Sequence, residues 1–108
     1  MSTISIIGSG GMAAAVGGLA AKAGYTVEVV SRDPTKARAL AGQVGAGATT
    51  GTFGAAPAGD MVILAVPYSA VLDVMKRYGE GLAGKVLVDY RAAADGEDPG
   101  TRLAAVAG

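Results

Sequence analysis

The most informative part of the sequence is Ile4-Ser5-Ile6-Ile7-Gly8-Ser9-Gly10-Gly11-Met12-Ala13. An apolar run leads directly into the pattern G-x-G-x-x-A, and small residues at helical spacing follow. This order predicts a strand, a tight turn and a helix whose N-terminus holds a dinucleotide pyrophosphate. Gly8 permits the turn, Gly10 lets the backbone approach the phosphates, and Ala13 allows close packing of the helix on the strand. The alternative is a purely structural turn, since the chain contains 18 glycines.

The composition restricts the class of protein. A length of 108 residues fits one domain with a real core. A net charge of zero provides no field that would attract nucleic acid or an anionic membrane. The chain has no cysteine and no histidine, which excludes disulfides, cysteine metal sites, thiol catalysis and a Ser-His-Asp triad within it. With no signal-peptide pattern and no long apolar run, we expect a soluble cytoplasmic protein.

Alternation of strand and helix patterns predicts an α/β fold of the Rossmann type, a doubly wound parallel sheet of about five strands in the order 3-2-1-4-5. In the first predicted helix, Met12, Val16, Leu19 and Ala23 fall on one face. Beside it, a stripe of very small residues, Ala13, Gly17 and Ala20, is expected to permit close approach to the sheet. Glu28 is expected to be solvated or to lie at a strand end. The predicted strands are 3–7, 26–30, 48–50, 61–66 and 86–89, and the predicted helices are 11–23, 34–44, 68–78 and 101–107.

Three segments are predicted to meet at one edge of this sheet. In a doubly wound sheet the ligand crevice lies at the C-terminal ends of the strands, where the strand order reverses. Residues 8–11, 31–32 and 65–69 all follow such strand ends, so one ligand could contact all three. In the third predicted helix the inward positions are expected to be Val71, Leu72, Met75 and Tyr78.

The residues after the second predicted strand indicate which dinucleotide is bound. NAD-selective sites place an acidic residue there to accept a hydrogen bond from the ribose 2′-hydroxyl. Here Ser31 and Arg32 offer a hydroxyl and a guanidinium, which suit a 2′-phosphate, and Lys36 can add a second cation. Asp33 is expected to cap the following helix. This favours NADP(H), while the alternative is that Arg32 and Lys36 are ordinary surface charges.

Four segments together resemble a known family. They are Gly8-Ser9-Gly10-Gly11-Met12-Ala13, Ser31-Arg32-Asp33-Pro34-Thr35-Lys36, Leu64-Ala65-Val66-Pro67 and Gly84-Lys85-Val86-Leu87-Val88-Asp89. They resemble the N-terminal domain of the coenzyme F420-dependent NADP oxidoreductases. The wider superfamily includes pyrroline-5-carboxylate reductase and the ferric-reductase domains of metalloreductases. The resemblance covers nearly the whole chain, and S-R-D-P-x-K is its more specific part.

The resemblance implies a set of cofactor contacts around the turn at Gly8. Ser9, Ser31, Arg32 and Lys36 would hold the 2′-phosphate; Gly10, Gly11, Met12 and Ala13 would lie against the pyrophosphate; and Ala65, Val66 and Pro67 would flank the nicotinamide ribose.

The sequence departs from the family in two places. Tyr90-Arg91-Ala92 stands after the fifth predicted strand, where family members usually carry an Asn-Pro pair. The family also continues through a sixth strand and a C-terminal domain, which builds the deazaflavin site and much of the dimer. We therefore expect residues 1–108 to form one NADP-binding domain that lacks the sixth strand and the C-terminal domain. The sequence does not decide whether this domain forms a homodimer.

Three functions are compatible with these patterns. The first is the NADP(H)-binding part of an oxidoreductase that transfers hydride to coenzyme F420 or a flavin-type acceptor. The second is a free-standing NADP(H) sensor, and the third is a Rossmann fragment that self-associates through an open sheet edge. Hydride transfer needs orientation and exclusion of water more than acid–base chemistry. We therefore predict no catalytic acid or base and no metal site. Asp89 and Tyr90 are the titratable residues expected near the edge of the crevice.

Overall fold

The computed structural model describes residues 2–66, 68–91 and 100–105. They form one six-stranded sheet in the order β3-β2-β1-β4-β5-β6, with β6 antiparallel to β5 and the other neighbours parallel. A 3-10 turn at Tyr68–Ala70 precedes the third helix, and another at Gly79–Leu82 follows it. The elements are β1 (Thr3–Ile7), α1 (Gly11–Lys22), β2 (Thr26–Val30), α2 (Pro34–Val44), β3 (Thr49–Thr50), β4 (Met61–Leu64), α3 (Val71–Tyr78), β5 (Val86–Arg91) and β6 (Gly100–Ala105).

Helices cover both faces of this sheet, which confirms the doubly wound Rossmann-type fold. Residues such as Ile6 and Val29 belong to a core cluster with α1 and α2. Their neighbours Ile7 and Val30 belong to a second cluster with Val74 and other residues of the α3 side. Because alternate side chains of a strand point to opposite faces, strands that are apolar at every position become buried on both sides. None of the helices in the described part of the chain has the length and apolar character that a membrane span requires.

The buried face of α1 is the stripe of small residues that was predicted to permit close approach to the sheet. Ala13, Gly17 and Ala20 are its buried residues, whereas Leu19 is 70% exposed and Ala23 is exposed. A Cβ at Gly17 would lie 3.0 Å from Val44 Cγ2, so α1 packs too closely on its neighbours for a larger side chain there. The stripe of small residues, rather than the stripe of larger ones, therefore faces the sheet.

The inward face of α3 is also shifted from the predicted one. Val74 and Tyr78 are buried, Val71 and Met75 are partly buried, and Leu72 is 71% exposed. The 3-10 turn at 68–70 separates the first residues from the α-helix, so the apolar repeat i, i+3, i+4, i+7 begins at Val71. The prediction counted the repeat from Tyr68 and was wrong for Leu72.

Glu28 is buried, contrary to the prediction of a solvated residue. It is 8% exposed, and its Oε1 accepts hydrogen bonds from Ser5 Oγ at 2.7 Å and from the Ala58 N–H at 3.1 Å. The Gly59 N–H donates in turn to Ser5 Oγ at 2.8 Å. These three hydrogen bonds join β1 and β2 to the loop before β4. Buried polar groups are stable when they are paired in this way.

The C-terminal segment forms a strand where a helix over 101–107 was predicted, and the sheet has a sixth strand that was expected to be missing. β6 pairs with β5 in antiparallel register, from Arg91↔Gly100 to Val86↔Ala105. Eight residues, 92–99, separate the two strands, which is shorter than the dozen or more that a parallel crossover needs. Pairing with the edge of β5 outweighs the high intrinsic helix propensity of Ala104 and Ala105.

Candidate functional site

Gly8 joins the ends of three strands. Its N–H donates to the Val30 carbonyl oxygen at 2.8 Å, and the Ala65 N–H donates to the Ile7 carbonyl oxygen at 2.9 Å. Gly8 has φ +134°, and a Cβ on it would lie 2.3 Å from the Ala65 carbonyl oxygen. Only glycine fits this position, because any side chain would collide with the backbone of Ala65, the residue that follows β4. The turn therefore keeps β1, β2 and the segment after β4 at one edge.

The N-terminus of α1 is open. Gly10 is its N-cap and provides no side-chain hydrogen bond, and the first turn contains no acidic residue. A Cβ at Gly10 or at Gly11 would meet nothing within 4 Å. The first N–H groups of a helix have no partner within the helix, and together with the helix dipole they favour an anion. This end of α1 fits a pyrophosphate.

Ser9 and Ser31 lie against each other between the ends of β1 and β2. Their Oγ atoms are 3.0 Å apart, and the Asp33 N–H donates to Ser31 Oγ at 3.2 Å. Asp33 Oδ1 accepts hydrogen bonds from the Thr35 N–H at 2.9 Å and the Lys36 N–H at 3.4 Å. This confirms that Asp33 caps α2, and it directs the carboxylate to the helix N-terminus.

Two hollows flank the Ser9–Ser31 contact. The smaller has a volume of about 360 Å³ and is lined by Ser9, Gly10, Gly11, Ala14, Lys36, Ala39, Leu40 and Gln43. The larger, which we call the basic cleft, has a volume of about 920 Å³. It is lined by Ser31, Arg32, Pro34, Thr50, Gly51, Thr52, Phe53, Asp73, Lys76 and Arg77.

The predicted site residues are thus divided between neighbouring hollows. Ser9 and Lys36 line the smaller hollow, while Ser31 and Arg32 line the basic cleft. Because Ser9 lines one hollow and Ser31 lines the other, the contact between their Oγ atoms places the two hollows side by side. A ligand that extended from the start of α1 past Ser31 would reach both hollows.

The remaining predicted residues lie nearer to the core. Ala13 is 0% exposed and Ala65 is 7% exposed, while Met12 and Val66 are half-buried. Ala13 and Ala65 can therefore offer mainly their backbone to a ligand. Pro67 lies outside the described residues, and so do the side chains of Asp89 and Tyr90.

The basic cleft contains Phe53 and Arg77, which were not predicted to belong to the site, and the guanidinium groups of Arg32 and Arg77 both lie over the Phe53 ring. The Arg32 guanidinium carbon lies 5.2 Å from the centroid of the Phe53 ring, and that of Arg77 lies 5.9 Å from it. Tyr78 packs on the same ring edge to face, with centroids 5.4 Å apart. These distances fit cation–π and aromatic contacts. The available signal was Phe53 itself, the single phenylalanine of the chain, in a segment that follows the third strand.

Tyr78 is the residue of this region whose acidity is perturbed. Burial raises the pKa of Tyr78, the backbone of Gly54 opposes the rise, and the Glu28 carboxylate adds to it. Within the described residues its hydroxyl makes no hydrogen bond of adequate geometry. Tyr78 therefore stays neutral through the physiological range and acts here as a packing partner of Phe53.

The comparisons with known proteins agree with this architecture. The family model described as "NADP oxidoreductase coenzyme F420-dependent" matches residues 3–93. An imine reductase from Bacillus cereus is 30% identical with a TM-score of 0.70; the alignment covers 87% of this chain and 33% of that one. A hypothetical protein from Sinorhizobium meliloti is 27% identical with a TM-score of 0.72, covering 94% and 50% of the two chains.

A third solved structure contains a cofactor. The imine reductase from Myxococcus stipitatus in complex with NADP+ is 25% identical with a TM-score of 0.70, covering 85% of this chain and 32% of that one. The chain thus spans about a third of the length of these imine reductases. No curated protein matches the sequence.

Proposed function

Because the chain belongs to the coenzyme F420-dependent NADP oxidoreductase family, we propose that it binds NADP(H) across the two hollows and takes part in hydride transfer. The observation that carries this proposal is the placement of Ser31 and Arg32 in the basic cleft, beside the open N-terminus of α1. The Myxococcus stipitatus structure with NADP+, which shares this fold, supports the choice of cofactor.

The described residues fit the cofactor in two respects. The glycines at the start of α1 leave space for a pyrophosphate, which would lie against Gly10, Gly11, Met12 and the backbone of Ala13. The capping of α2 occupies the one carboxylate that follows β2, so that it offers no acceptor to a ribose 2′-hydroxyl. We propose that Ser9, Ser31, Arg32 and Lys36 surround the 2′-phosphate and that Ala65, Val66 and Pro67 flank the nicotinamide ribose.

NADPH would supply the hydride from its nicotinamide ring. The task of this chain is then to hold the dinucleotide so that the ring is presented to an acceptor with water excluded. Gly8 contributes by fixing the segment at Ala65 against the end of β1. We assign no proton donor or base among the described residues.

For the acceptor, we propose coenzyme F420 or a flavin-type ring, which the family description supports. The similarity to imine reductases makes a C=N bond a second candidate. Assays with NADPH and each acceptor would distinguish them. Since the chain spans about a third of the imine reductases it matches, we expect the 108 residues alone to reduce F420 slowly or not at all.

The alternative is a free-standing NADP(H) sensor or regulatory module without catalysis. It shares the binding prediction and differs in turnover. If the protein as expressed in its host binds NADPH and reduces neither F420, nor a flavin, nor an imine, the sensor function is favoured. Robust F420 reduction by the 108-residue chain would instead contradict the expectation of low activity.

Titration with NADPH and NADH tests the cofactor assignment. We expect tighter binding of NADPH, and we expect Arg32→Glu to remove most of that preference because it replaces a guanidinium with a carboxylate that repels the 2′-phosphate. A loss of one charge-assisted contact of about 1.5–3 kcal/mol corresponds to a ten-fold to hundred-fold weaker NADPH affinity.

The matched control is Arg38→Glu, which makes the same charge change at an exposed position of α2 that lines neither hollow. NADPH affinity should fall far less in this variant than in Arg32→Glu. Equal affinity of the wild type for NADPH and NADH would contradict the proposed 2′-phosphate site. If the wild type binds neither dinucleotide, the alternative of a purely structural Gly-rich turn is favoured.

A further inference from the structure

The basic cleft is lined by a second arginine besides Arg32. Arg77 belongs to the last turn of α3, whereas Arg32 follows β2, and both lie over the ring of Phe53. The two residues are 45 positions apart in sequence, and it is the fold that brings them to one ring. Two cations gathered in one cleft form a site of concentrated positive charge.

Neither guanidinium forms an ion pair with a carboxylate in the described part of the chain. Among the residues that the structure describes, no carboxylate oxygen lies within 4.0 Å of Arg32 or Arg77. Asp73 lines the same cleft one turn before Arg77, without an ion pair of this length. Like charges repel, so bringing them together costs free energy unless an anion is bound between them or water screens them. The aromatic ring offsets a part of this cost.

The chemistry of the cleft fits a phosphate monoester. Such a group carries a charge of about −1.5 to −2 at neutral pH and presents three acceptor oxygens, so that it can accept hydrogen bonds from two planar guanidinium groups at once. We propose that Arg77 binds the 2′-phosphate of NADP(H) together with Arg32 and is a second determinant of cofactor specificity. This inference rests on the proposed function and extends it.

The other cations near the cleft are less well placed for this role. Lys36 lines the smaller hollow, beside Gly10 and Gly11, and so approaches from the pyrophosphate side. Lys76 lines the basic cleft, but within the described residues the cations that lie over Phe53 are Arg32 and Arg77. The exposed Arg77 side chain lies against both Phe53 and Gly54: a Cβ built on Gly54 would lie 3.1 Å from Arg77 Nε. A guanidinium that already lies against a ring loses less entropy when it binds an anion.

The test compares Arg77→Gln with the wild type for four ligands: NADPH, NADH, 2′,5′-ADP and 5′-ADP. We expect Arg77→Gln to weaken binding of NADPH and 2′,5′-ADP about ten-fold and to change binding of NADH and 5′-ADP less than two-fold. Arg38→Gln, the same substitution at an exposed position outside both hollows, controls for the lost net charge.

Two outcomes would overturn the inference. One is an equal loss of affinity for all four ligands, which is expected if Arg77 only packs against Phe53 and has a structural role. The other is NADPH affinity unchanged in Arg77→Gln. If Arg77→Gln does not fold, Arg77→Lys replaces it, because it keeps the charge and loses the planar fork. For Arg77→Lys, a loss of NADPH affinity of about three-fold with no change in NADH affinity supports the inference, and unchanged affinities for both contradict it.

The failure of this inference can be told apart from failure of the proposed function. If the wild type prefers NADPH, and Arg32→Glu loses that preference while Arg77→Gln keeps it, only the role of Arg77 falls. If the wild type binds NADPH and NADH with equal affinity, the proposed 2′-phosphate site is contradicted, and so is the role of Arg77 in it.

Discussion

Tyr78 carries a hydroxyl group that folding removes from water without a hydrogen bond of adequate geometry among the described residues. An unpaired buried hydroxyl costs about 1–3 kcal/mol. We therefore predict that Tyr78→Phe leaves the free energy of unfolding at pH 7 unchanged or raises it by about 1 kcal/mol, because the ring contact with Phe53 is retained. Urea denaturation measures this. A destabilisation of more than about 1 kcal/mol would show that the hydroxyl has a partner.

The same substitution has a pH dependence whose sign follows from the raised pKa of Tyr78. Above the ordinary tyrosine pKa of 10.0, the unfolded chain loses the phenolic proton while the folded chain keeps it, so the wild type loses stability as the pH rises through this range. Tyr78→Phe lacks this contribution, and its advantage over the wild type should grow between pH 9 and pH 11, about one unit either side of the ordinary tyrosine value. Tyr25→Phe, at an exposed position, is the control and should show no such trend.

Single residues were predictable from the sequence where their role is local. Gly8 and Asp33 act on neighbours within a few positions, through a turn and a helix cap, and the structure confirms both geometries. Phe53 and Arg77 gain their place in the basic cleft only from packing between β3 and α3. No local pattern in the sequence contains that information.

The buried contact between Ser5 and Glu28 connects two strands to the loop before β4. We predict that Glu28→Ala lowers the free energy of unfolding by about 3 kcal/mol, because it leaves the Ser5 hydroxyl and the Ala58 N–H without their acceptor and opens a cavity. Glu28→Gln keeps an amide oxygen for both donors and should cost less. Chemical denaturation measures both variants.

The control for this pair is Glu80→Ala, which removes an exposed glutamate and should change stability by less than about 0.5 kcal/mol. If Glu28→Ala costs no more than this control, the two hydrogen bonds that Glu28 accepts contribute nothing net to the free energy of unfolding. The burial of Glu28 was not predictable, because the sequence presents one charge within an apolar strand and does not reveal that Ser5 and the 58–59 backbone meet it.

Elements were predicted best where the period of the apolar pattern is unambiguous. β1 and β2 have the predicted bounds, because each is a short apolar run between turn residues. In α1 the stripe of small residues that was predicted to approach the sheet is the buried one. The inward face of α3 was misjudged, because its apolar repeat was counted from Tyr68 although the α-helix begins at Val71. β6 was predicted as a helix because a strand at a sheet edge is stabilised by its partner β5 more than by its own sequence.

At the scale of the whole molecule, alternation of elements was enough to predict the strand order 3-2-1-4-5 and the edge at which the two hollows open. The sheet order brings the ends of β1 and β2 together, and Ser9 and Ser31 meet there as a consequence. The partition of the site into two hollows depends on side-chain packing, which the sequence pattern does not determine.

A ligand that spans both hollows should stabilise the entire fold, because its contacts come from β1, β2, α1 and α2 and exist only in the native state. At a concentration 100 times the dissociation constant, binding adds about 2.7 kcal/mol to the free energy of unfolding. For a domain of this size we predict a rise in Tm of about 10 °C or more with NADPH. NADH at the same concentration should raise Tm much less, because it lacks the 2′-phosphate that the basic cleft is proposed to hold. In Arg32→Glu the two shifts should become similar; equal shifts in the wild type would show that the cleft does not distinguish the two dinucleotides.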